Sequence, residues 1–178
     1  MDERESLIAA INEEVKLHEY NELWPSLYEA ERQRLLSLLP CTFLEIQHIG
    51  STSVPGMPAK PIIDILAGVD SMETAKSIAA KLCSSGYTTS AEFNESLSDR
   101  QWFMRWADGR RTHHLHVVVH GSAAWVERLR FRDSLRSSEK LAAEYAQLKA
   151  KMAATHAEDR EAYTDAKSQF VNAVSRAA

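Results

Sequence analysis

The chain has 178 residues, 44% hydrophobic and 26% charged with a net charge of -4, which is the profile of one globular domain able to bury a core. Six Gly and five Pro exclude a collagenous or low-complexity chain, and no apolar run approaches the roughly 20 residues of a membrane span. The acidic start Met1-Asp2-Glu3-Arg4-Glu5 is unlike a secretory signal, so a cytoplasmic location without membrane contact is the default expectation.

Residues 5 to 39 repeat apolar positions at helical spacing: Leu7, Ile8, Ile11 and Val15, then Leu27, Ala30, Leu35, Leu38 and Leu39. Pro25 suits the first turn of the second helix and Pro40 ends it. From Thr42 the pattern is that of strands. Phe43 to Ile49 alternates, and Pro61 to Val69 is a short apolar run rich in β-branched residues, as in a strand covered on both faces. Asp70-Ser71-Met72-Glu73 has the form of a capping box opening a helix to about Ser85. Tyr87 to Phe93 reads as a strand. Asp108-Gly109 between Trp102 to Ala107 and Arg111 to His120 signals a hairpin. Helices are expected over Ser122 to Arg136, Glu139 to His156 and Glu158 to Ser175. With no linker and no repeat, residues 1–178 form a single α+β domain, a mixed sheet flanked by helices with a helical C-terminal segment.

Charge is unevenly spread. Residues 1–99 hold 7 Lys/Arg against 16 Asp/Glu, residues 100–136 hold 8 against 3, and residues 137–178 hold 6 against 6. Every basic residue of the middle segment is arginine, whose planar fork suits phosphate and carboxylate oxygens. The alternative is a solvated surface. An extended nucleic-acid surface is not expected from so confined a positive region. Cys41 and Cys83 form no CxxC pair and are expected as buried small hydrophobes.

The loop Gly50 to Lys60 is neither a Walker A loop nor a dinucleotide fingerprint. It does combine a Gly-Ser turn, the hydroxyls of Ser51, Thr52 and Ser53, and the amine of Lys60, a set that suits a phosphate. Equally, such hydroxyls can satisfy the loop's own turns. Asp64 then falls in the most apolar stretch of the chain, where a carboxylate needs a cation, a metal or several donors. Strand alternation puts Ile62, Asp64 and Leu66 on one face.

The run His48-Ile49-Gly50-Ser51-Thr52-Ser53-Val54-Pro55-Gly56-Met57-Pro58-Ala59-Lys60-Pro61-Ile62-Ile63-Asp64-Ile65 resembles the signature of the GrpB family. The resemblance extends to Tyr20 with Trp24-Pro25, Gly86-Tyr87, His114-Leu115-His116-Val117, Phe131-Arg132-Asp133-Ser134-Leu135-Arg136, and Tyr145 with Leu148-Lys149. It implies a nucleotidyltransferase-like fold of the DNA polymerase beta superfamily, also found fused to dephospho-CoA kinase. In active members of that superfamily a Gly-Ser turn grips phosphate and two acidic residues, one residue apart, bind divalent metal. Gly50-Ser51 and Asp64 match; Leu66 stands at the second acidic position and weighs against a two-metal mechanism.

His114 and His116 share one strand face, and two imidazoles at that spacing can converge on one ion. One reading leaves them as inert histidines. The other sets them beside Asp64 in place of the missing carboxylate, making Asp64, His114 and His116 the ligands of a divalent metal (Mg, Mn or Zn) and Asp64 with His116 the catalytic pair. His48 is a further candidate. On the helix from Ser122, Arg128, Arg132 and Arg136 share a face, with Arg132 and Arg136 expected to clamp phosphate. The implied function is binding of a nucleotide or other phosphorylated small molecule through Gly50, Ser51, Thr52, Ser53, Lys60, Arg132 and Arg136. Two outcomes stay open: nucleotidyl transfer with a divalent metal, or a non-catalytic module with a degenerate site. A scaffold using the C-terminal helices is the third class of function, and it leaves Asp64 and the histidines unexplained.

Overall fold

The computed structural model describes residues 3–12, 16–155 and 168–174. Five strands, β1 (Glu45–Ile49), β2 (Ile63–Val69), β3 (Tyr87–Thr88), β4 (Gln101–Ala107) and β5 (Arg110–Val119), form one sheet in the order β1-β2-β5-β4-β3. The central pair β2/β5 is parallel and every other pairing is antiparallel, so the sheet is mixed as expected. A parallel pair needs a long crossover. Here it is the segment between Val69 and Arg110, which carries α3 (Met72–Ser77), α4 (Ala79–Cys83), β3, α5 (Ala91–Ser96) and β4.

Both faces of β2 are covered, which is why its sequence is apolar almost throughout. Ile63, Ile65, Ala67 and Val69 pack with Phe103, Leu115 and Val117 beneath Leu35 of α2 (Trp24–Leu38), Ala75 and Leu82. On the opposite face Leu66, Ile49 and Val118 meet Ala124 and Trp125 of α6 (Ala123–Ser137). A third cluster joins Val54 and Met57 of the loop to Leu135 of α6 and Tyr145 of α7 (Glu139–Thr155). The helix α1 spans Glu3–Asn12, and residues 168–174 are helical; most of the helix expected over 158 to 175 lies outside the described residues.

Several boundaries differ from expectation, each for a local reason. The helix expected from Asp70 to Ser85 is two short helices that meet at Ile78, whose ψ of -9° opens the turn while its buried side chain joins the core. Its cap is Ser71, whose hydroxyl accepts from the Thr74 N–H, and Asp70 instead accepts from the hydroxyls of Ser71 and Thr74. The strand expected over Tyr87 to Phe93 stops at Thr88, because Ser90 caps α5 through the Phe93 N–H. At the hairpin, Asp108 and Gly109 both take positive φ, 51° and 71°, as a two-residue turn of this twist requires. Both cysteines are exposed rather than buried: Cys41 sits in a turn at φ 60° and Cys83 ends α4 on its outer side.

Candidate functional site

The loop after β1 opens at Gly50, which holds φ 71°. A Cβ there would fall 2.9 Å from Asp64 Cβ and closer still to its carboxylate, so glycine is required both by conformation and by approach. Residues Ser51–Ser53 make one 3-10 turn. All three hydroxyls of this turn have partners within the fold. Ser53 donates to the Gly50 carbonyl at 2.6 Å, and Thr52 lies 3.0 Å from His48 Nε2 and 3.3 Å from the Ile62 carbonyl. The Ser51 hydroxyl accepts from Lys149 Nζ at 2.9 Å, and the same amine donates to the Pro58 carbonyl. Lys149, on α7, is 3% exposed and its ammonium lies over the Tyr145 ring at 5.1 Å. The sequence marked it only as part of the family resemblance. Its place four residues after Tyr145, on the apolar face of α7, is the signal that it points inward.

The register of β2 and β5 sets Asp64 opposite His114 and Leu66 opposite His116, so all four side chains share one face. Asp64 Oδ1 is 3.0 Å from His114 Nδ1, and Arg111 reaches His114 Nε2 at 3.4 Å. Since a guanidinium only donates, the imidazole accepts at Nε2 and donates at Nδ1 to the carboxylate. Among the described residues the buried Nδ1 of His116 has no hydrogen-bond partner, and burial pushes the His116 pKa down to about 3, against the pull of Asp64. Leu66 is wholly buried among Ile49, Val118 and Trp125. As a metal site this donor set does not form a cage. Among the described residues no group of three His, Cys, Asp or Glu side chains is gathered to hold an ion, and the Nε2 of His114 faces the Arg111 guanidinium.

Across the edge strand β1, Arg132 and Arg136 of α6 line a cleft of about 520 Å³ with Tyr20, Pro25, Tyr28, His48, Ser53 and Pro55. Arg132 donates to Gln47 Oε1 at 2.7 Å and to the His48 carbonyl at 3.0 Å, and Arg136 donates to the Ser53 carbonyl at 2.9 Å. Burial, then the neighbouring Arg132 charge, lowers the Arg136 pKa. His48, stacked on Tyr28 with ring centroids 4.7 Å apart, is pushed down to about 4, chiefly by burial; Asp64 pulls it up and Arg136 and Arg132 push it further down. Arg128 stands apart from these two, donating to the Ala124 carbonyl and lying 3.7 Å from Asp99. Lys60 also stands apart, in a different cavity beside Lys16 and Arg111.

A family model described as GrpB protein matches residues 14–177. The chain belongs to the GrpB family. The UPF0157 protein YqkA of Bacillus subtilis is 37% identical over 152 residues, which are 85% of this chain and 43% of that protein. The glutamate-rich protein GrpB of Alkalihalophilus pseudofirmus is 33% identical over 165 residues, 90% of this chain and 94% of that protein. This chain thus spans less than half of one relative and nearly all of the other. The crystal structure of the conserved protein GrpB from Enterococcus faecalis superposes with a TM-score of 0.81 at 32% identity, covering 91% of this chain and 96% of that one.

Proposed function

We propose that this GrpB-family protein is a binding module for a nucleotide or another phosphorylated small molecule, seated in the Arg132/Arg136 cleft, and that its Asp64 position does not run nucleotidyl transfer. Support comes from the Arg136 guanidinium, with Arg132 beside it paired to Asp133 Oδ1 at 2.8 Å, and an apolar wall of Tyr20, Pro25, Tyr28 and Pro55 in one space. Guanidiniums match phosphate oxygens in charge and geometry. Rings and prolines offer flat apolar area to a base or sugar. Bonds to Gln47, His48 and Ser53 already hold both arginines, so little side-chain freedom is lost on binding.

The Asp64 face supports the second half of the reading. A two-metal transfer needs carboxylates that bridge both ions, yet Leu66 fills the second position within the core. Asp64 is engaged by His114, and the Ser51 hydroxyl by Lys149. One observation favours transfer instead: the unpartnered Nδ1 of His116 on the same face as Asp64.

Calorimetric titration with ATP separates these readings from a scaffold. Binding in the micromolar range or weaker is expected, about -8 kcal/mol at best. Arg136→Gln should weaken it by about tenfold or more, since a charge-assisted phosphate contact is lost. Assayed with Mg²⁺ or Mn²⁺, the wild type should release little pyrophosphate. Release at ordinary enzyme rates, abolished by Asp64→Asn and His116→Gln, would assign those two residues to catalysis and reject the non-catalytic reading. No ATP binding at all would leave the scaffold.

A further inference from the structure

The hydrogen bonds of the Arg132/Arg136 cleft limit how many phosphoryl groups it can hold. Arg132 is 8% exposed and mostly committed to the fold: Nε donates to Asp133 Oδ1 at 2.8 Å, and Nη1 donates to Gln47 Oε1 and to the His48 carbonyl. Its charge is answered by the Asp133 carboxylate. Arg136 gives Nε to the Ser53 carbonyl, and among the described residues it enters no ion pair. The donors left to the cleft are therefore the two terminal nitrogens of Arg136 and Nη2 of Arg132. The other polar groups of the lining bring no charge. His48 is kept neutral by burial, with Nε2 at the Thr52 hydroxyl, and the Ser53 hydroxyl donates to the Gly50 carbonyl. Carboxylates also stand close by: Asp133 on Arg132, and Glu22, which acts on Tyr20 against Arg136.

We infer that this cleft is built for a phosphate monoester, one terminal phosphoryl group on a flat apolar body, and not for a di- or triphosphate. The inference rests on the proposed function and narrows its ligand class. A guanidinium fork meets two oxygens of one phosphoryl group, and the remaining nitrogen of Arg132 suits the third. A monoester carries a charge of about -1.5 to -2 at neutral pH, which Arg136 and the partly answered Arg132 can balance. Each further phosphoryl group adds negative charge for which the described lining holds no further cation, in the neighbourhood of Asp133 and Glu22. The volume of about 520 Å³ falls within the roughly 300 to 1,000 Å³ of small-molecule sites, so the body of the ester lies against Tyr20, Pro25, Tyr28 and Pro55. ATP then binds as a poorer analogue, through one of its phosphoryl groups.

The test is calorimetric titration of the whole chain, without added metal, using adenosine, adenosine monophosphate and ATP as probes. On the wild type the monophosphate should bind at least about tenfold more tightly than adenosine and at least about threefold more tightly than ATP. In Arg136→Gln, with folding checked by thermal unfolding, the advantage of the monophosphate over adenosine should shrink to about twofold or less. The ranking of the three probes on wild type decides the matter even if that variant does not fold. ATP binding within about threefold of the monophosphate, or more tightly, overturns the inference; if Arg136→Gln weakens that ATP binding, the proposed function stands while its narrowing to a monoester falls. A monophosphate that binds no better than adenosine overturns the inference and removes the phosphate contact from the cleft. Binding of none of the three rejects both readings.

Discussion

Gly50 and Asp64 constrain each other. Gly50→Ala would combine a positive φ with a Cβ driven onto the Asp64 side chain, and is expected to cost about 2 kcal/mol or more of unfolding free energy in urea. A variant within about 0.5 kcal/mol of wild type would mean that the loop has room the structure does not show. The buried histidines predict an acid-sensitive fold. His48 and His113 are held neutral with pKa values pushed down to about 4, mainly by burial, below the roughly 6.5 of an unfolded histidine. Their contribution is therefore fully present above pH 6.5 and is lost as pH falls toward 4, because the unfolded chain binds protons that the fold refuses. Between pH 6.5 and 5.5, above the carboxylate range, each should remove about 1 kcal/mol of stability. A denaturation free energy that stays flat over this interval would contradict neutral burial.

At the scale of elements, α7 fastens the loop after β1. Lys149→Met removes the donor to the Ser51 hydroxyl and the Pro58 carbonyl, and should cost about 2 kcal/mol while speeding amide exchange over residues 51–58. Unchanged exchange there would show that α7 merely lies alongside. The main elements were legible because their patterns follow from burial: β2 reads as an apolar run since helices cover both faces, and the hairpin reads as Asp-Gly since only such residues accept its φ values. Expectation failed where short polar side chains decided the backbone. Ser90 turned a strand-like stretch into α5, and Ser71 displaced Asp70 as a cap. Neither choice leaves a hydrophobic period to read.

In the whole molecule, strand parity put His114 and His116 on one face, and of the two readings left open for them the register of β2 and β5 sets them on the same face as Asp64. Parity could not say that Ser51 would be claimed by Lys149 from 98 residues away, that Arg111 would stand at His114, or that Lys60 and Arg136 would lie in different cavities. Those outcomes depend on how α6, α7 and residues 16–18 close over the sheet, which no local pattern encodes. The resulting molecule carries Arg132 and Arg136 on one side of the loop after β1 and Asp64 on the other, with Gly50 packed against Asp64. In the proposed function the arginine cleft, and not the Asp64 face, holds the phosphorylated ligand. Titration of ATP into wild type, Arg136→Gln and Asp64→Asn tests it most directly. Binding should fall by about tenfold or more in Arg136→Gln and stay within about twofold in Asp64→Asn. The reverse pattern, with binding lost in Asp64→Asn and kept in Arg136→Gln, would contradict it.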